Sequence, residues 1–141
     1  MSARLLEGKP VADAVLADVA ARVEKLKQKG IFPGLGTILV GDDPASAGYV
    51  RKKHETCQTV GIRSFDTRIG ADAAQADLLA AVAAFNGNPD VDAFIIQNPV
   101  PRTFDFNEAL LYMDPQKDAD GLHPINLGKL VLQEPGPRPC T

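Results

Sequence analysis

Apolar residues return every three or four positions from Val11 through Val15, Val19 and Val23 to Leu26, with alanines and charges filling the intervals. That period is helical. The spacing predicts an amphipathic packing helix from about Pro10 to Lys29, stopped by Gly30, with Lys25, Lys27 and Lys29 at its electronegative end. The pattern then changes. Leu35 to Val40 is apolar without alternation, as in a central strand covered on both faces, and Gly41 ends it. Asp43 and Pro44 open a second helix as N-cap and first helical residue, and Gly61 closes it. Ile62 to Ile69 reads as a second strand. Asp72 with Gln75 has the form of a capping box ahead of Leu78, Leu79, Val82 and Phe85, a third helix that Asn86-Gly87-Asn88-Pro89 breaks. Val91 to Gln97, centred on Phe94, Ile95 and Ile96, is a third buried strand that Pro99 and Pro101 forbid from continuing. Asp105 with Glu108 caps a short helix containing Ala109, Leu110, Leu111 and Met113.

The order is α-β-α-β-α-β-α. Strands separated by helix-length segments predict an α/β domain of three layers, a mainly parallel sheet with right-handed crossovers and helices on both faces. In such sheets ligands bind where the carboxyl ends of strands meet the following loops. The turns at Gly41 and Gln97 are both such ends, so residues distant in sequence converge there.

With 141 residues and 45% apolar content, the chain suits one domain with a single core. A net charge of -3 offers no basic face for nucleic-acid phosphates or an anionic membrane, which leaves a small molecule or a protein as partner. No charged leader precedes an apolar core, and no apolar run approaches the roughly 18 residues of a membrane span, so a soluble, unexported, cytoplasmic protein is expected. Cys57 and Cys140 suggest no disulfide framework, in keeping with a reducing compartment. The closing Pro135-Gly136-Pro137-Arg138-Pro139-Cys140-Thr141 reads as a linker. The expected division is therefore a domain over 1–134 and the start of a linker over 135–141, in a chain cut from a longer protein.

Several chemistries can be set aside. Gly34-Leu35-Gly36 precedes a strand instead of joining strand to helix and lacks a third glycine, so it is no dinucleotide loop. Asp118-Ala119-Asp120-Gly121 looks like part of a calcium loop, but with Gly121 as sixth residue the first would be Gln116 and the twelfth Leu127, where a glutamate is needed. With His54 and His123 the only histidines and no close cysteine pair, zinc has no support, and no metal is expected. A serine nucleophile lacks its elbow motif.

What remains is Tyr49, Lys53, Gln97 and Asp120. Tyr49 and Lys53 are four apart on the second helix, placing a ring and an amine on one side about one turn apart. Such a pair commonly means only a half-buried ring and a solvated charge. A lysine accepts a proton near neutral pH only if burial or neighbouring positive charge favours its neutral form, and Arg51, Lys52 and His54 are expected to crowd this one. Gln97, at a strand end, could bond the amine or orient a water, and Asp120 could accept N–H donors from a heterocycle.

Three motifs carry a resemblance. Tyr49-Val50-Arg51-Lys52-Lys53 after Gly41-Asp42-Asp43-Pro44-Ala45-Ser46, then Ile96-Gln97-Asn98-Pro99-Val100-Pro101, then Lys117-Asp118-Ala119-Asp120-Gly121-Leu122-His123-Pro124 occur in order. With Leu6-Glu7-Gly8-Lys9 before them and Asn126-Leu127-Gly128-Lys129-Leu130 after, the chain resembles throughout the amino-terminal half of the bifunctional methylenetetrahydrofolate dehydrogenase/methenyltetrahydrofolate cyclohydrolase. The resemblance implies a folate-binding, catalytic domain with the amino-terminal fold of the aminoacid-dehydrogenase-like class, its NADP-binding Rossmann domain absent from this chain. By matching position Lys53 would be the catalytic lysine assisted by Gln97, Tyr49 would stack on the pterin and aminobenzoyl region, Pro99 would line the substrate site, and Asp120 would hold the pterin's amino edge. Tetrahydrofolate one-carbon derivatives as ligands, NADP as cofactor of the whole enzyme, and a homodimer are implied likewise. Asn98 departs from the leucine usual in the family and puts an amide beside the pterin position. The competing class is a non-catalytic small-molecule or protein-binding domain derived from that family.

Overall fold

Three parallel strands in the order β2-β1-β3 form the middle layer of the domain, seen in a computed structural model that describes residues 5–136. They are β1 (Gly34–Val40), β2 (Arg63–Ile69) and β3 (Ala93–Gln97); the helix α1 (Gly8–Lys27) precedes them, α2 (Pro44–Val60) and α3 (Gln75–Gly87) join them, and α4 (Phe106–Tyr112) and α5 (Pro124–Val131) follow. The central place of β1 follows from its composition. A run with Thr37, Ile38, Leu39 and Val40 all buried has no face to give to water. Its register sets Val40 beside Ile69 and Leu39 beside Gln97, so the three carboxyl ends lie together.

One face of the sheet holds the larger core. Ile38, Val40, Phe94 and Ile96 pack against Leu78, Val82 and Phe85 of α3 and against Ala109, Leu110 and Met113 near α4. Phe85 and Phe94 meet edge to face with centroids 5.4 Å apart. Each such side chain, fully buried, stabilises the fold by roughly 1.5–3 kcal/mol. Gly36 is what lets this layer close: a β-carbon there would lie 2.7 Å from the Phe94 β-carbon and 2.9 Å from the Phe85 ring. One at Gly34 would run into the Asp90 carbonyl oxygen. The two glycines thus serve close packing, in agreement with their exclusion as a phosphate loop. The alternate residues of β1 and β3 face α2, whose Val50, Cys57 and Val60 are buried.

Two helices end by one device. Gly30, at φ 77°, donates to the Lys27 carbonyl while Ile31 donates to Leu26; Gly61, at φ 82°, donates to Gln58 while Ile62 donates to Cys57. The expected stops at Gly30 and Gly61 are therefore met, and capturing Ile62 in the second stop delays β2 to Arg63.

Four expectations need correction. The first helix runs Gly8–Lys27 rather than 10–29, and its apolar stripe is not all packing: Val23 is buried, but Val11 and Val15 are 65% and 56% exposed. The Asp72–Gln75 box does not form. Ala74 is the N-cap of α3, with its N–H held by the Asp77 carboxylate at 2.9 Å. Gln75 instead ties two helix starts together, donating to the Asp105 carbonyl and Glu108 carboxylate while accepting from the Asp105 N–H. The Asp105–Glu108 box is consequently half made, since Asp105 caps the Glu108 N–H but receives nothing back from it. Finally, α5 was not expected; His123 caps it and Pro124 fills its first position. The linker proposed for 135–141 falls largely outside the described residues, as does Cys140.

Candidate functional site

The site is built from the start of α2, the end of β3 and the loop before α5. Asp43 caps α2 through the Ser46 N–H at 2.7 Å, and that bond, with the Ser46 hydroxyl, holds its carboxyl below the ordinary carboxylate range. Ser46 and Val50 are buried, so one face of the helix is fixed against the sheet and the Tyr49–Lys53 face is turned out. Tyr49 is 63% exposed, and the Lys53 amine sits 6.0 Å from its ring centroid, at the outer range of a cation–π contact.

Lys53 Nζ donates to Gln97 Oε1 at 2.9 Å. Gln97 Nε2 in turn donates to the Asn98 carbonyl at 2.7 Å, which orients the amide with its oxygen toward the lysine. The following Asn98–Pro99 peptide bond is cis, and Asn98 and Pro99 are exposed beside Gln97. The two strand-end turns also meet. A β-carbon at Gly41 would lie 3.1 Å from the Pro101 ring.

Asp120 arrives from the third motif. The Phe94 N–H donates to the Lys117 carbonyl at 2.7 Å and the Ala119 N–H donates to the Phe94 carbonyl at 3.2 Å, so the loop lies along the free edge of β3. Half-burial pushes the Asp120 carboxyl above its ordinary value, the Lys53 charge opposes that rise, and Asp118 adds to it. Asp120, Lys53 and Lys52 line a cavity of about 370 Å³ together with apolar residues that include Leu35, Cys57 and Ile95. Tyr49, Gln97 and Pro99 stand outside this cavity. The constellation is a lip, with the ring and amide on one side of the amine and an apolar recess on the other.

One electrostatic expectation fails. Arg51 points to Glu55 at 3.9 Å and His54 to Asp66 at 3.7 Å, and both border a different hollow with Arg68. At 100° per residue, position 51 falls nearly opposite position 53. Of the three expected cations only Lys52 accompanies the amine. The role of Asp118 was missed altogether. It is 3% exposed, and the signal available was an aspartate three residues before a glycine in a loop. Among the described residues no group of three His, Cys, Asp or Glu side chains is placed to hold a metal, and no helix is long and apolar enough to cross a membrane.

The family model for the tetrahydrofolate dehydrogenase/cyclohydrolase catalytic domain matches residues 6–120. The bifunctional protein FolD of Syntrophotalea carbinolica is 71% identical over all 141 residues, which span 49% of that protein. Among solved structures, the bifunctional methylenetetrahydrofolate dehydrogenase/cyclohydrolase of Campylobacter jejuni superposes with a TM-score of 0.94 at 36% identity, covering 97% of this chain and 49% of the other. The Trypanosoma brucei enzyme, solved with NADP cofactor and an inhibitor, gives 0.91 at 34% identity over 97% of this chain and 47% of its own. The chain thus spans about half the length of the relatives it matches.

Proposed function

The chain belongs to the tetrahydrofolate dehydrogenase/cyclohydrolase family, and on that premise we propose that it supplies the folate site and the proton-transferring lysine of a bifunctional enzyme. The whole protein would oxidise 5,10-methylenetetrahydrofolate to the methenyl form and hydrolyse that to 10-formyltetrahydrofolate. The observation that carries the reading is the Lys53–Gln97 hydrogen bond at the carboxyl edge of the sheet, with Asp120 beside it.

In the hydrolysis, water adds to the cationic methenyl carbon and must lose a proton. An amine can take that proton only when uncharged, and a cationic bridge beside it favours the uncharged form by repulsion between like charges. Gln97 Oε1 fixes the nitrogen by accepting one of its N–H groups and leaves the lone pair free for the water. Tyr49 offers an exposed ring on which a flat pterin or aminobenzoyl group can stack, the exposed Pro99 follows Gln97 as a further substrate contact, and the Asp120 carboxylate suits the N–H edge of the pterin.

NADP, when bound by the whole protein, accepts the hydride of the oxidation. The described residues contain no glycine-rich strand-to-helix turn fit to hold it, so we place the cofactor on a segment beyond this one. The corresponding division is a folate domain over 1–134 and the beginning of a linker over 135–141, in a cytoplasmic homodimer. Titrating the protein with a folate analogue and following quenching tests the binding half of this reading. Binding that weakens when Tyr49 and Asp120 are substituted supports it; no binding by the full-length protein contradicts it.

A further inference from the structure

Asp118 is buried at 3% exposure, and among the described residues no cation is paired to it. A carboxylate in that position is costly unless its oxygens are fully bonded. Its Oδ1 accepts the Gly121 N–H at 2.9 Å, and its Oδ2 accepts the His123 N–H at 2.8 Å and the Asn126 side-chain N–H at 2.9 Å. Asn126, 1% exposed, also donates to the Pro115 carbonyl at 2.8 Å. These three donors to Asp118 all come from the chain just past Asp120. On the near side, Lys117 Nζ is anchored on the Phe85 and Asn88 carbonyls at the end of α3, and Ala119 is bonded to Phe94. Asp120 is therefore the one residue left between two clamps, with the turn after it made by Gly121 at φ 66°.

We propose that Asp118, braced by Asn126, is a positioning residue: it holds the 118–123 loop so that the Asp120 carboxylate faces Lys53 and the cavity, ready for a ligand's N–H edge. This rests on the folate reading above and extends it to residues that do not touch the substrate. Preorganising a binding carboxylate from a rigid neighbour spares the ordering that a free loop would need on binding.

The test is kinetic and uses the full-length protein with methenyltetrahydrofolate as substrate. Asp118→Asn keeps the size of the side chain but turns an amide donor toward N–H groups that need an acceptor. It is expected to raise KM about tenfold with kcat within about twofold, and to add nothing further to Asp120→Ala in the double variant. Asn126→Ala leaves Asp118 two of its three donors and is expected to raise KM about threefold while speeding amide exchange at Gly121 and His123. If Asp118→Asn does not fold, Asn126→Ala is judged by the same non-additivity with Asp120→Ala. Wild-type KM in the folded variants while Asp120→Ala raises it, or penalties that simply add, overturns the positioning role alone. An Asp120→Ala variant with unchanged KM removes the folate reading and this inference together.

Discussion

The amine of Lys53 and the side-chain oxygen of Gln97 meet at 2.9 Å although 44 residues separate them, joining the outward face of α2 to the last residue of β3. This contact exists because β1 and β3 run parallel with Leu39 and Gln97 in register, and because the Asp43 cap starts α2 directly beyond that edge. Both partners are half-buried, so the hydrogen bond itself contributes only about 1 kcal/mol to stability.

Gln97→Ala should accordingly lower Tm by no more than a few degrees while slowing methenyltetrahydrofolate hydrolysis about tenfold to a hundredfold. Gln97→Glu separates positioning from charge. A carboxylate against the amine favours the ammonium, so this variant should be at least as stable as wild type yet slower than Gln97→Ala. Thermal melts and single-turnover assays of the two variants read the difference; a Gln97→Glu variant as fast as wild type contradicts the role given to the neutral amine.

Asp120 predicts a pH effect whose sign follows from its raised carboxyl. The folded state holds this proton more tightly than the unfolded chain, whose carboxyl keeps its ordinary value of 3.8. Above 3.8, and up through the raised folded value, the folded state binds more protons, so the contribution of this group to stability falls as pH rises. Asp120→Asn should therefore raise Tm at neutral pH, with the gain shrinking as pH drops toward 3.8, while weakening folate-analogue binding. Melts of both proteins across that window check the direction. A variant less stable than wild type at neutral pH contradicts it.

Two glycines should respond in opposite ways. Gly48 lies inside α2 with nothing within 4 Å of where a β-carbon would sit, so Gly48→Ala should stabilise the protein by about 0.5–1 kcal/mol. Gly36→Ala forces a methyl between Phe94 and Phe85 and should destabilise it by about 1–3 kcal/mol or more. Denaturant midpoints of the two variants measure both effects.

Much of this architecture was legible before any coordinates. The mainly apolar run of β1, with no alternation, suits a covered strand, and Asp43-Pro44 with Gly61 delimits α2 because side-chain caps and left-handed stops are local chemistry. From those two elements and β3 follows the meeting of Lys53 with Gln97. What was not legible depends on partners elsewhere in the chain. The Asp72 box lost to Asp77, since Gln75 is drawn away to Asp105 and Glu108. The stripe of α1 could be read as apolar, but not that Val23 is buried while Val11 and Val15 stay exposed. Arg51 and His54 are neighbours of Lys53 in sequence only, because the helix turns them toward Glu55 and Asp66. Asp118 belonged to a fragment of a calcium loop that its spacing already excluded, and that its oxygens accept from Gly121, His123 and Asn126 depends on how the later chain folds back.

Lys53 is the group proposed to take the proton from water. Lys53→Met keeps the length and packing of the stem and removes only the amine, so the decisive measurement is the rate of methenyltetrahydrofolate hydrolysis by the full-length Lys53→Met protein, taken together with its affinity for a folate analogue. The expected result is a fall in hydrolysis of about a hundredfold or more with affinity changed only a few-fold. Hydrolysis at the wild-type rate in a folded, folate-binding variant would contradict the assignment outright.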